Sequence, residues 1–534
     1  MEAGMAAGAK WWQTGVIYQI YPRSFQDSNA DGIGDINGIQ QRLQHLVDLG
    51  VDAIWISPIF PSPMRDFGYD VSDYCDIDPL FGSLSDFDLL VAAAHSRGLK
   101  VILDFVPNHT SDRHPWFQES RSSRLSPKRD WYVWRDAGPN VSPPSNWESE
   151  FGGPAWTFDD RTRQYYYHAF LKEQPDLNWR NPAVREAMCD VLRFWFERGV
   201  DGFRVDAIHH LIEDEQLRDN PPDPRWRPGM PPKGRWAPIR TIDQPETHVA
   251  IKEMRRVADG YPDRVMIGEA YLPIDRLMAY YGADLSGFQL PFNFHLISTA
   301  WRPRAVAALI EAYEAALPGG AWPNWVLGNH DRSRAASRLG PAQARVAAML
   351  LLTLRGTPTI YQGEEIGMTD VPIPPHLVQD PWEKNVPGFG LGRDPERTPI
   401  PWTRDRNGGF TSGEPWLPLG ADADGRDVQT QASDPKSMLS LYRALIRLRR
   451  SNDVLTLGAY RPRAATRHVL AYERHHRDGV ILIALNLTDE PQELAVRNIR
   501  REMLISTYLD HPVSKAGDRI HLRANEGLVL RESR

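Results

Sequence analysis

Gly202-Phe203-Arg204-Val205-Asp206-Ala207 is a short, half-apolar stretch that reads as one β-strand ending on a carboxylate. Along a strand, residues two apart point the same way, so Arg204 and Asp206 share one face and Phe203 and Val205 the other. A cation beside a carboxylate favours its charged form. An ionised, oriented aspartate at a strand end is what a carboxylate nucleophile needs. An ordinary ion pair is the plain alternative for this stretch taken alone. Just upstream, Asn181-Pro182 supplies a cap and then proline at the first helical position, opening a helix that runs to Arg198 and stops at Gly199.

The same unit recurs in both directions. Strand patterns occupy residues 16–21, 53–58, 101–106, 202–206, 265–269, 288–294, 325–329 and 357–361. A helix over 36–49 puts Ile39, Leu43, Leu46 and Val47 on one face and stops at Gly50; another over 86–97 stops at Gly98. Strands apolar on both faces and alternating with helices imply a parallel sheet. Eight such strands imply α/β architecture closed as a (β/α)8 barrel. Two spacings break the alternation. Residues 107–178, rich in Trp, Pro, Tyr and Gly, read as a small domain inserted after the third strand; 364–433 is a long loop excursion after the eighth. The barrel therefore divides into 1–106 and 179–454, closing with a helix over 436–450. From 455 to 534 alternating strands predict a C-terminal antiparallel β-sandwich.

The 534 residues are 41% hydrophobic and 25% charged, a globular profile, with net charge -7. That balance argues against nucleic-acid or anionic-membrane partners. Two cysteines, Cys75 and Cys189, are too few for a disulfide framework and fit a cytoplasmic protein. MEAGMAAGAK at the start has no signal-peptide pattern and reads as a disordered tail. No apolar run reaches the length of about 20 residues that spans a membrane.

In such barrels the chemistry sits at the C-terminal strand ends. The third strand ends Asp104-Phe-Val-Pro-Asn-His109, the fourth Arg204-Val-Asp206, the fifth Gly268-Glu269 and the seventh Asn329-His330-Asp331. Several polar groups on one rim are hard to explain structurally, because crowding like charges raises pKa values at a cost in stability. Asp206, Glu269 and Asp331 stand out. Arg204 is expected to hold Asp206 ionised. Glu269 has no adjacent cation, which suits a general acid. His109 and His330 lack the spacing of a zinc site.

These four stretches resemble the signature motifs of the α-amylase superfamily, glycoside hydrolase family 13, in the right order. The likeness runs from Val16-Ile-Tyr-Gln-Ile-Tyr-Pro22 to the C-terminal β-domain. It implies a retaining mechanism with Asp206 as nucleophile, Glu269 as acid/base and Asp331 as transition-state stabiliser. It also implies sugar contacts from His109, Arg204 and His330. Within the superfamily the chain is similar to the α-glucosidase and oligo-1,6-glucosidase branch. There Asp66 and Tyr69 would bind the terminal glucose, Asp66 would pair with Arg397 (Arg393 as second choice), and Phe151 and Phe170 would line the pocket. The pair would close one end of the groove and make the enzyme exo-acting on short α-glucosides.

Asp27-Ser-Asn29-Ala-Asp31-Gly-Ile33-Gly-Asp35 spaces oxygen ligands like a calcium loop: Asp27, Asn29, Asp31 and Asp35 with the Ile33 carbonyl. Gly38 stands where a bidentate glutamate would be, so Ca²⁺ or Mg²⁺ fits a structural role; no organic cofactor is expected. Ala207 after the nucleophile leans toward α-1,4 linkages, because in the resembled branch valine there accompanies α-1,6 preference. Gln362 and Pro401 depart from the branch pattern and are placed near the acceptor side. The reading is a retaining exo-α-glucosidase on maltose and short maltooligosaccharides, with transglucosylation, acting as monomer or homodimer. A glucosyltransferase or sucrose/maltose isomerase with the same intermediate is the alternative, and a non-catalytic binding subunit is disfavoured by the complete carboxylate trio.

Overall fold

The computed structural model describes residues 8–420, 425–496, 501–510 and 519–532; the first seven residues of the expected tail lie outside them. Eight parallel strands form one sheet: Ile17–Ile20, Ala53–Ile56, Lys100–Phe105, Gly202–Val205, Val265–Gly268, Leu290–Pro291, Asn324–Val326 and Thr357–Tyr361. The eighth pairs with both the seventh and the first, and pairing then runs in chain order to the sixth. The expected closed barrel is thus open at one hydrogen-bonded seam, between the sixth and seventh strands. The sixth was expected over 288–294 but pairs over two residues, and the second is Pro291, which has no N–H to give a ladder.

Strand alternation builds two apolar layers. Ile17, Ala53, Trp55, Ile102, Val265, Ile267, Leu290 and Val326 fill the barrel interior. Tyr18, Ile54, Leu103, Phe203 and Val205 face the helices in a separate cluster. The helix Pro182–Glu197 packs Val184, Met188, Leu192, Trp195 and Phe196 into that outer layer. The Asn181 side chain accepts from the Ala183 amide to cap it. The inserted segment carries a three-stranded sheet, Trp134–Asp136, Gln164–Tyr167 and Trp156–Asp159, with the second strand in the middle.

A third break in the alternation escaped the sequence reading. Between Leu211 and Glu246 runs a proline-rich loop without helix or strand. A loop that long inside a compact domain usually has a task. Its residues line the mouth described below. In the C-terminal region, five antiparallel strands (Ala459–Ala465, Val469–His476, Gly479–Asn486, Gly527–Glu532, Arg501–Ser506) form one sheet, and Gln492–Ala495 with Arg519–Leu522 a second. Leu494 and Leu522 of the small sheet share an apolar cluster with Val469, Leu482 and Leu530 of the large one. Among the described residues no helix is long and apolar enough to cross a membrane.

Candidate active site

The backbone ladder carries past the strand ends and aims the carboxylates. The Asp206 amide donates to the Phe105 carbonyl at 2.8 Å and the Glu269 amide to that of Val205 at 2.9 Å. Ala207 then turns left-handed, with φ at 43°, and its amide donates to Glu269 Oε2 at 2.9 Å. A non-glycine residue there stores strain of about 1–3 kcal/mol.

Arg204 is the hub. It is 1% exposed, and it donates 2.7 Å bonds from Nη1 to both Asp104 Oδ1 and Asp206 Oδ1. Its Nη2 lies 2.7 Å from Glu269 Oε2. Glu269 therefore does have a cation beside it, contrary to the sequence reading, because strand pairing sets the fifth strand next to the fourth. The expected effect on Asp206 also changes. Burial pushes its carboxyl well above the usual range; Arg204 opposes this but is shared, and Glu269, Asp104 and Asp331 reinforce the rise. Burial likewise lifts Asp104 to about 6 against Arg204.

Asp331 is the opposite case. Burial works against its ionisation too, yet it is held well below the usual range. His330 is fully buried and kept neutral, well below its ordinary pKa. The charges that ionise Asp331 are therefore Arg397 Nη2 at 2.7 Å and Arg393 Nη1 at 3.2 Å from Oδ1.

Arg393, the second choice in the sequence, is the partner of Asp66: Nη2 meets Oδ1 at 2.8 Å. It also binds Asp380 through Nε at 2.9 Å. Arg397, the first choice, donates from Nε to the His330 carbonyl at 2.7 Å and turns its other nitrogen to Asp331. The short helical turn Asp394–Glu396 separates the two arginines and sends them to different partners. Three guanidiniums thus serve six carboxyl groups: Asp66, Asp104, Asp206, Glu269, Asp331 and Asp380.

These groups floor a cavity of about 310 Å³. Asp66, Tyr69, His109, Phe151, Phe170, Asp206, Glu269, His330 and Asp331 line it, while Arg204 and Arg397 stand behind the wall. Tyr69 stacks on His330 with ring centres 5.4 Å apart, and its hydroxyl donates to Asp104 at 3.1 Å. Burial drops His109 to about 4, so it is neutral near pH 7. Arg393 lies 5.0 Å over the Phe151 ring, tying its pair with Asp66 to the inserted segment.

His209, His210, Lys233, Tyr271, Arg332 and Trp382 also line the cavity and were missed. Tyr271 and Arg332 lie within two residues of the Glu269 and Asp331 motifs, a signal that could have found them. Lys233 comes from a loop and Trp382 from the short helix Pro381–Asn385, with no such signal. Gln362 and Pro401 are both buried and do not line this cavity. Gln362 instead accepts from the Tyr21 amide at 2.7 Å.

In the loop 27–35, Asp27 accepts from the amides of Asn29, Ala30 and Gly32, and Asp35 from Ser28 and Gly38. Asp31 accepts from the Ile33 amide and Asn29 from that of Asp31. Among the described residues no three His, Cys, Asp or Glu side chains converge as metal ligands. The donor chemistry is nonetheless all hard oxygen, and Asp31 and Asp35 retain acceptor sites beyond these bonds, whereas Asp27 also accepts from the Thr411 hydroxyl.

The family described as "Alpha amylase, catalytic domain" matches residues 19–458. A probable alpha-glucosidase of Rhizobium meliloti is 44% identical over 94% of this chain and 95% of its own length. Maltase 1 of Drosophila virilis is 40% identical over 97% of this chain and 86% of its own. Among solved structures, the alpha-glucosyl transfer enzyme XgtA superposes with a TM-score of 0.94 at 41% identity, covering 98% of this chain and all of its own.

Proposed function

The chain belongs to the α-amylase family, glycoside hydrolase family 13, and from that premise we propose that it is a retaining, exo-acting α-glucosidase that releases α-glucose from maltose and short maltooligosaccharides. One observation carries this reading. Asp206 and Glu269 are bound to the two terminal nitrogens of a single guanidinium at the floor of a small pocket. A shared fork keeps the two carboxyls together at one scissile bond, as a nucleophile and an acid/base must be, and the retaining course follows from the family.

Asp206 attacks the sugar C1 while Glu269 protonates the leaving oxygen. Glu269 then takes a proton from water, which attacks the glucosyl ester and restores the α configuration. Asp331, ionised throughout, accepts hydrogen bonds from sugar hydroxyls. His109 and His330 are neutral and complete the hydroxyl contacts with Tyr69. Asp66 and Arg393 close the end beyond the terminal glucose, and Phe151 and Phe170 wall it.

Ala207 supports α-1,4 preference, since a small side chain leaves room beside the scissile bond. Loop 27–35 would hold Ca²⁺ or Mg²⁺ through Asp27, Asn29, Asp31, the Ile33 carbonyl and Asp35, in a structural role. We also assign a cytoplasmic location, supported by two free cysteines, and a monomeric or homodimeric state.

Proton NMR of maltose cleavage tests the reading. The first product is α-glucose, and Asp206→Asn lowers kcat by about 10⁴-fold or more, the scale of losing a nucleophile. Initial β-glucose, or full activity in the Asn variant, overturns it.

A further inference from the structure

Gln19 lies on the first strand two residues past Ile17, so it shares the inward face of that strand with the apolar barrel interior. It is fully buried, and it does not line the glucose pocket. Its Nε2 lies 2.8 Å from His330 Nδ1 and 3.3 Å from the Ser57 hydroxyl. Its Oε1 is buried without a partner. Turned end for end, the amide would put its two N–H groups where that oxygen finds nothing to bond. His330 is neutral and so has one N–H. An amide nitrogen only donates. His330 Nδ1 therefore accepts, and the ring's proton is on Nε2.

The far side of the ring agrees. Tyr69 Oη lies 2.7 Å from His330 Nε2 and donates its one hydrogen to Asp104 Oδ2. It must therefore accept from Nε2–H. Tyr69 and Tyr21 stack on the ring, at 5.4 and 5.7 Å between centres, and fix its plane. Hydrogen bonds thus run in one direction, from Gln19 through His330 and Tyr69 to Asp104, which Arg204 also holds.

We propose that Gln19 is a positioning residue: from behind the pocket wall it fixes the His330 tautomer that presents Nε2–H to the sugar. The proposal rests on the α-glucosidase reading. Glutamine is a poor choice for stability at this place, because Oε1 is desolvated with nothing to bond. Its N–H on Nδ1 is what an apolar side chain could not supply. His330 and Tyr69 both line the pocket, so a sugar hydroxyl can take the Nε2–H in place of Tyr69 Oη. With the proton on Nδ1 instead, Nε2 would offer that hydroxyl a lone pair only.

The test measures kcat and KM for an aryl α-glucoside from pH 5 to 8 in the full chain. Gln19→Glu reverses the bond at Nδ1. A carboxylate accepts there, so the ring's single proton moves to Nδ1 and leaves Nε2 bare. A second proton, shared by the new carboxyl and His330, restores Nε2–H. The variant's kcat is therefore about 10²-fold below wild type at pH 8, the scale of losing one donor to the transition state, and its ratio to wild type rises as pH falls. The charged groups facing the ring, Asp331, Arg204, Arg393 and Arg397, are the same in both proteins. Gln19→Met neither donates nor accepts in this way. It lowers kcat about fivefold, the weight of one ordinary hydrogen bond, by the same factor at every pH and with a melting temperature no lower than wild type. A pH-independent ratio in the Glu variant, or wild-type kcat in the Met variant, overturns the proposal. If the Glu variant does not fold, the Met variant decides: a drop in kcat alone supports the role, and a drop in kcat and melting temperature together makes Gln19 structural and overturns it. Wild-type protein that leaves the aryl α-glucoside intact overturns instead the reading on which the proposal rests.

Discussion

Arg204 does more than pair with its strand neighbour. It anchors Asp104, Asp206 and Glu269 with one planar fork. Lysine offers a point charge without that fork. Arg204→Lys therefore lowers kcat on an aryl α-glucoside by about 10²-fold, the scale of a roughly 1 Å misplacement of reacting groups, with a smaller change in KM; steady-state kinetics check it. A second buried residue bears on stability alone. Both oxygens of Glu364 are buried without a hydrogen-bond partner, and burial lifts the carboxyl to about 8 from 4.5. Between those pH values the folded state keeps a proton that the unfolded chain loses, so stability falls as pH rises through the window, by about 1.4 kcal/mol for each pH step of one. Glu364→Gln removes that dependence. Its melting temperature relative to wild type is higher at pH 8.5 than at pH 5, as calorimetry across pH will show.

At the scale of elements, loop 27–35 and the excursions carry the consequences. The loop seats on the excursion: Asp27 accepts from the Thr411 hydroxyl, and the Trp416 amide donates to the Gly32 carbonyl at 3.0 Å. A Cβ on Gly32 would lie 1.8 Å from the Glu414 carbonyl oxygen. On the proposed metal role, a cation in the loop would stabilise the docked excursion rather than the chemistry. EDTA is expected to lower the melting temperature, and Ca²⁺ to restore it, while kcat/KM at 25 °C stays constant. Much at this scale was legible. Helix ends at Gly50 and Gly199 and the Asn181 cap lie where local signals put them, because capping and left-handed glycine are local physics. The two-residue sixth strand and the loop from Leu211 to Glu246 were not. Pairing length depends on the neighbouring strand, and a loop without period announces nothing but its prolines.

Across the whole molecule, the C-terminal sheet is fastened to the barrel by a buried cation, and the barrel's last helix to the eighth strand's approach by another. Arg474 donates to the carbonyls of Thr353 in the barrel and Gly458, and Arg449 to those of Leu352, Leu354 and Gly356. Both are fully buried. Arg474→Met leaves carbonyls unpartnered and costs about 2 kcal/mol or more. A lower denaturation midpoint with unchanged kcat/KM at 25 °C is the expected result.

The sequence by itself determined the parallel barrel and the motif-bearing strand ends, because short continuous apolar runs, helix caps and residues at strand termini are set within a few neighbours along the chain. The tertiary structure alone decided which arginine meets which carboxylate. Arg393 rather than Arg397 reaches Asp66, and Arg204 reaches Glu269 as well as Asp206, because guanidinium partners depend on how an aperiodic excursion crosses the barrel mouth and on which strands lie side by side.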